Sequence, residues 1–154
     1  MTVEELREEV GIEFDLIETT VREVLSLHQY LVGKEPTVRE KTAAAAFIAQ
    51  FYGGIENILK RVHRYYDVPI PTGESWHIEI FKRFCNPGYS PLPVFFDEAL
   101  ARDLAPFRKF RHVVYHGYGF QLEWERLREG MAAIESVQTR LRSVITTYLE
   151  SLDS

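Results

Sequence analysis

Apolar residues recur every three to four positions along most of this chain, which is the spacing of one face of an α-helix. Two Thr-x-x-Glu sequences, Thr2–Glu5 and Thr37–Glu40, have the form of a capping box that begins a helix. The first helix is expected to end at Gly33–Pro36 and the second at Pro69–Pro71. The residues predicted to face inward are Val3, Leu6, Val10, Ile17, Val21, Val24 and Leu31, then Ile48, Phe51, Tyr52, Ile55, Leu59, Val62 and Tyr66.

The middle of the chain predicts a short helix, a loop and then a further helix. The short helix is expected over Ser75–Cys85, and Asn86–Pro93 is expected to be loop because it holds three prolines and a glycine. A fourth helical stretch begins near Asp97. Pro106 either kinks that helix or occupies the first turn of a new segment.

Gly117 and Gly119 interrupt the helical pattern before a last helix, which is predicted from about Gln121 towards Leu149. We therefore expect an all-α fold, an up-and-down bundle of four main helices plus a short one. No repeat or interdomain linker is visible, so residues 1–154 are expected to form a single domain. The residues predicted to face inward on the last helix are Leu127, Met131, Ile134, Leu141, Ile145 and Tyr148.

Charge and composition narrow the class of protein. A net charge of −5 argues against a protein that coats nucleic acid through a broad basic face. It allows a compact site that binds one phosphate. The single cysteine, Cys85, fits a reducing cytosol, so we expect a cytoplasmic protein. The acidic start is unlike a signal or transit peptide, and no apolar stretch is long enough to span a bilayer, so we expect no membrane partner.

One arginine falls where a helix normally places leucine. If a single helix crosses Pro106, Arg111 lies about 20° from Leu100 on the helical wheel, inside the apolar stripe that also holds Leu104, Phe107, Val114 and Tyr115. A buried guanidinium needs an anion, which could be a carboxylate, a ligand phosphate or a partner subunit. Glu56, at the edge of the second helix's apolar stripe, is the candidate internal carboxylate, and pairing would orient the guanidinium. The plainer interpretation is a structural ion pair or an arginine that reaches the surface.

His112 and His116 lie four residues apart and share a helix face. The spacing suits two zinc ligands, but a zinc site needs a third and usually a fourth ligand. No Glu directly follows the first His as in HExxH, the other histidines are scattered, and Cys85 is alone. We therefore expect no metal and no other cofactor. A histidine titrates near neutrality and can move protons to or from a ribose hydroxyl, while an arginine can hold the phosphate. RNA supplies its own nucleophile in the 2′-hydroxyl, and two copies related by a two-fold axis would provide an acid, a base and two phosphate clamps.

At RHVVYHGY the sequence resembles the HEPN superfamily, and within it the HepT-like toxins. The pattern is Arg, a polar residue, three further residues, His, any residue and Tyr, which places Arg111, His112, His116 and Tyr118 at the motif positions. The motif stands before a final long helix, as in that family. Asparagine is more usual where this chain has His112, so His112 either assists catalysis or only orients Arg111.

The resemblance implies a metal-independent endoribonuclease that works as a homodimer and leaves a 2′,3′-cyclic phosphate (or a 3′-phosphate) and a 5′-hydroxyl. It implies Arg111 and His116 as catalytic residues, with His112 and Arg108 as candidate supporting residues. It also implies a toxin paired with a nucleotidyltransferase antitoxin, which silences it by transferring AMP to Tyr118. Tyr118 is alternatively only an aromatic residue packed on the bundle.

The sequence leaves the RNA target open between tRNA and mRNA. The alternative function is a non-catalytic HEPN module that binds nucleotides or proteins and partners a nucleotidyltransferase. A third alternative is a plain helical interaction domain, in which Arg111 is only a buried ion pair.

Overall fold

The computed structural model describes residues 1–153, which form an all-α bundle of four long helices and one short helix and contain no β-strand. A 3₁₀ turn at Gly119–Gln121 precedes the last helix. The predicted fold class is therefore confirmed. None of the helices in this range is long and apolar enough to cross a bilayer. The helices are α1 (Val3–Tyr30), α2 (Val38–Tyr65), α3 (Trp76–Lys82), α4 (Glu98–His116) and α5 (Trp124–Ser151).

Both predicted capping boxes are present. Thr2 Oγ1 accepts a hydrogen bond from the Glu5 amide at 3.1 Å, and the Glu5 carboxylate accepts one from the Thr2 amide at 2.9 Å. Thr37 and Glu40 make the same pair of bonds at the start of α2. Each box satisfies two amides that a helix start would otherwise leave unpaired. Gly33 then turns the chain between α1 and α2 with φ +71°, a conformation that glycine adopts without strain.

Helix α2 is the centre of the bundle, since it contacts α1, α3, α4, α5 and the 3₁₀ turn. Gly54 permits its tight packing against α1, because a Cβ on Gly54 would lie 2.6 Å from Ile17 Cγ1. A Cβ on Gly53 would lie 3.6 Å from Arg111 Nε of α4, which is an ordinary van der Waals distance.

Helix α4 runs without interruption through Pro106, so the proline does not begin a new segment. Asp97 caps the helix by accepting a hydrogen bond from the Leu100 amide at 2.7 Å. The prediction that Tyr115 belongs to the buried stripe is wrong, because its ring is 67% exposed. The ring covers the Arg111 guanidinium at 4.2 Å instead of entering the core.

The boundaries of the later elements differ slightly from those predicted. Helix α3 is shorter than the expected Ser75–Cys85, and Gln121 belongs to the 3₁₀ turn, so α5 begins three residues later than predicted. Tyr66 follows the end of α2 and is half-buried, as is Tyr148, and their hydroxyls are hydrogen-bonded to each other. The loop after α3 is anchored by stacked buried rings, Phe81 on Phe96 and Phe84 on Phe95, which belong to the hydrophobic core.

Candidate functional site

The last two turns of α4 place Arg111 against α2. Its side chain is only 12% exposed, and Nε lies 2.6 Å from Oε1 of Glu56, which is 1% exposed. The N–H is not aligned on the oxygen, so the contact is an ion pair more than a hydrogen bond. An arginine cannot shed its charge, and the nearby carboxylate offsets the cost of removing that charge from water.

The second oxygen of Glu56 is bonded to a different helix. His77, on α3, donates from Nδ1 to Glu56 Oε2 at 2.7 Å. One buried carboxylate on α2 therefore joins a cation on α4 and an imidazole on α3. Both oxygens are occupied, so the carboxylate has little freedom to rotate.

Two side chains contact the Arg111 guanidinium. Glu56 contacts Nε, and the centroid of the Tyr115 ring lies 4.2 Å from the guanidinium carbon. Within residues 1–153 the two terminal amino groups make no hydrogen bond, so the fork that binds a phosphate remains available.

His112 and His116 are both exposed on the same face of α4, and their ring centroids lie 4.5 Å apart. Together with Arg111 they line a cleft of about 410 Å³. The cleft is open to solvent, so burial of the Arg111 stem does not seal the guanidinium inside the monomer. Its lining residues are Tyr52, Glu56, His77, Ile78, Arg108, Lys109, Arg111, His112, Val113, Tyr115 and His116.

The cleft is locally basic although the whole chain is acidic. Arg108, Lys109 and Arg111 face one carboxylate, that of Glu56. The guanidinium carbon of Arg108 lies 5.1 Å from the centroid of the Phe81 ring, a cation–π contact made by a residue that lines the cleft. The local field therefore favours an anionic ligand.

Tyr52 brings a buried hydroxyl to the same place. The residue is fully buried, its hydroxyl has no hydrogen-bond partner, and it lies among the residues that line the cleft. Burial and then the negative charge of Glu56 raise the pKa of this hydroxyl far above its usual value. It therefore remains a protonated donor at any physiological pH.

Tyr118 lies beyond the end of α4, next to the cleft residues in sequence but not among those that line the cleft. Its side chain is 66% exposed, and its ring stacks on Phe120 with centroids 5.6 Å apart. Gly119 lets this segment approach α2, since a Cβ there would meet Ala45 at 2.8 Å. The Tyr118 ring is therefore presented to solvent.

The structure brings together five of the residues singled out from the sequence, Glu56, Arg108, Arg111, His112 and His116, in one cleft. Sequence reasoning missed His77 and the buried hydroxyl of Tyr52. Tyr52 was recognised only as a core position. His77 carried no signal, because its contact with Glu56 depends on how α3 folds back onto α2. Within the described range, no three or more His, Cys, Asp or Glu side chains group together as a metal site would require.

Fold and cleft together define an all-α bundle with a basic cleft beside its fourth helix. The family model for the HepT-like protein matches residues 43–152, which span nearly all of α2 and everything through α5. The chain therefore belongs to the HepT-like family. No curated protein and no solved structure matches the chain.

Proposed function

We propose that this protein is a metal-independent endoribonuclease and the toxin of a toxin–antitoxin pair. The observation that carries the proposal is the arrangement of Arg111, whose Nε contacts Glu56 while both terminal amino groups make no hydrogen bond within the described residues and Arg111 lines an open cleft. Such a preorganised cation can bind a phosphate bidentately and stabilise charge as it grows on the phosphorus oxygens.

The reaction needs only the substrate's own nucleophile and two proton transfers. The ribose 2′-hydroxyl attacks the adjacent phosphorus and gives its proton to a base. The bond from phosphorus to the 5′-oxygen breaks, and that oxygen takes a proton from an acid. A 2′,3′-cyclic phosphate and a 5′-hydroxyl result. His116 is the proposed proton-transfer group, because it is exposed at the cleft and imidazole titrates near neutrality. His112, whose ring contacts His116, and Arg108 are the proposed supporting residues.

A homodimer would complete the site, with His116 of one copy as base and His116 of the partner subunit as acid. A groove of about 860 Å³ between α4 and α5 supports this assembly, because it is lined by Phe107, Phe110 and Val113 and adjoins the catalytic cleft at Lys109 and Val113. Ala133, an exposed residue of α5 in that groove, offers a test. Ala133→Glu should shift sedimentation from dimer to monomer and reduce cleavage, and an active monomer would refute the composite site.

The antitoxin is proposed to be a nucleotidyltransferase that modifies Tyr118. The Tyr118 oxygen would attack the α-phosphorus of ATP, the bond to the β-phosphate oxygen would break, and pyrophosphate would leave with loss of the tyrosine proton. The exposed ring supports this assignment. Added charge and bulk beside the cleft would repel the RNA phosphates. After co-expression with such an enzyme, the protein should gain the mass of one AMP group, and Tyr118→Phe should not.

The activity is tested with purified protein and single-stranded RNA in EDTA. We expect cleavage by the wild type and none by Arg111→Ala or His116→Ala. Matched controls lie on α1, away from the cleft: Arg22→Ala, an exposed arginine, and His28→Ala, a half-buried histidine. A requirement for added metal, or cleavage that survives both cleft substitutions, would refute the proposal. Absence of cleavage by the wild type would favour a non-catalytic HEPN module.

A further inference from the structure

We propose that His77 is a positioning residue that acts on Arg111 through Glu56. This inference rests on the proposed function for its catalytic consequence, but not for its structural one. His77 lies 34 residues before Arg111 and on a separate short helix. The connection between them is the carboxylate of Glu56, which contacts Arg111 Nε with one oxygen and accepts from His77 Nδ1 with the other.

The geometry shows why the carboxylate needs a second partner. An ion pair through one oxygen leaves a carboxylate free to rotate about its terminal bond, and rotation would carry Oε1 away from Arg111. The hydrogen bond of 2.7 Å from His77 to Oε2 opposes that rotation. Glu56 is 1% exposed, so in the folded protein His77 takes the place of water as the hydrogen-bond partner of this oxygen.

His77 is itself fixed in place by its surroundings. Its ring lies against the ring of Trp76, with centroids 3.5 Å apart, and Lys60 of α2 lies over Trp76 at 4.5 Å from the ring centroid. Within the described residues its one hydrogen bond is the bond to Glu56. The only polar interaction of the imidazole among the described residues is therefore the hydrogen bond that fixes the Glu56 carboxylate.

Through Glu56, His77 determines the orientation of the Arg111 guanidinium. Glu56 uses the Nε edge of the guanidinium, so the direction of the terminal amino groups depends on where Oε1 stands. A misoriented Arg111 guanidinium would still bind the RNA phosphate of the substrate with nearly the same affinity. It would align poorly with the phosphate oxygens in the transition state. Loss of His77 should therefore lower kcat by about ten- to hundredfold, the range found when a residue that orients a metal-binding side chain is removed, and leave KM within a few fold.

The chain allows a matched set of variants. His77→Asn places an amide N–H where Nδ1 stood, whereas His77→Gln extends the amide to the position of Nε2, and His77→Leu removes the donor. Lys82→Ala is the control, because Lys82 is an exposed residue of the same helix and does not line the cleft. We expect His77→Asn and Lys82→Ala to retain wild-type kcat, and His77→Gln and His77→Leu to lose it.

A second readout does not depend on catalysis. In a ¹H–¹⁵N spectrum of the full chain, Arg111 Nε–H should be a sharp, slowly exchanging signal, assigned by its absence in Arg111→Lys. We expect the signal to persist in His77→Asn and Lys82→Ala, and to broaden or vanish in His77→Gln and His77→Leu. If His77→Leu does not fold, His77→Gln carries the comparison.

The two readouts separate the hypotheses. An Arg111 signal that depends on the donor at residue 77, in a protein that cleaves no RNA, would support positioning and refute the proposed function. An unchanged Arg111 signal in a folded His77→Gln protein would overturn the positioning role, whatever the activity. Loss of thermal stability with unchanged kcat and an unchanged signal would show that His77 only packs α3 onto α2.

Discussion

Replacing Glu56 with glutamine tests how the bundle tolerates a cation in its interior. The substitution preserves the size of the side chain and removes its charge. Arg111, 12% exposed, would keep its positive charge without a counter-ion, and one glutamine oxygen cannot serve both Arg111 and His77. The folded state should therefore lose stability through an uncompensated charge and a lost hydrogen bond, with no change in packing volume.

The expected loss in the free energy of unfolding follows from the burial of the Glu56–Arg111 ion pair. Removing one partner of a buried ion pair costs about 3–5 kcal/mol. The Arg111 guanidinium borders an open cleft, and water there can solvate its terminal amino groups, so the lower end applies, about 3 kcal/mol. For a domain of this size each 1 kcal/mol shifts Tm by about 2–4 °C, so we expect Tm to fall by about 6–12 °C for Glu56→Gln.

A half-exposed ion pair between two other helices provides the control. Glu18 of α1 and Arg142 of α5 lie 2.9 Å apart, with side chains 50% and 46% exposed. Such pairs contribute about 0–1 kcal/mol, so Glu18→Gln should lower Tm by no more than about 4 °C. Thermal unfolding followed by circular dichroism measures both variants. Equal Tm shifts for Glu56→Gln and Glu18→Gln would refute the reasoning from burial.

Three further predictions concern the interior around the cleft. Tyr52→Phe removes a buried hydroxyl that has no partner, so it should raise the stability measured by urea unfolding by about 1 kcal/mol; a loss of stability would show that the hydroxyl is satisfied. Burial lowers the pKa of His63, so the unfolded chain takes up a proton near pH 6.5 while the folded protein stays neutral. Stability should therefore fall between about pH 7 and pH 5, less steeply in His63→Gln; equal slopes would contradict this. Gly54→Ala should lower Tm because its Cβ would meet Ile17 at 2.6 Å, whereas Gly53→Ala should leave Tm unchanged or raise it, and the reverse order would contradict the packing described.

Local signals in the sequence were sufficient to predict most of the fold. A capping box involves residues three apart, so Thr2 and Glu5 predicted the start of α1 without knowledge of the tertiary structure. Local signals could not predict whether the helix continues through Pro106 or a new segment begins there. A proline inside a helix is tolerated or not according to what packs around it, and buried residues on either side, Leu104 and Phe107, hold α4 in one piece.

The candidate site was predictable where it depended on helical spacing. Arg111 stood out because a charge interrupted an apolar stripe, and Glu56 because it lay at the edge of another. The contact of His77 with Glu56 was beyond such reasoning, because it depends on the path of the chain between α2 and α3, which turns at Asp67 and Gly73 with positive φ. Tyr115 was misplaced for a related reason. Helical spacing gives the direction of a side chain, but not whether a neighbouring helix is there to cover it.

The central claim is that Arg111 and His116 act on a phosphodiester whose own 2′-hydroxyl is the nucleophile. Mass spectrometry of the fragment ends left by the wild-type protein in EDTA tests it most directly. We expect 2′,3′-cyclic phosphate (or 3′-phosphate) and 5′-hydroxyl ends, and no cleavage of an otherwise identical strand with 2′-O-methyl groups. Fragments with 5′-phosphate and 3′-hydroxyl ends, or cleavage of the methylated strand, would contradict the account.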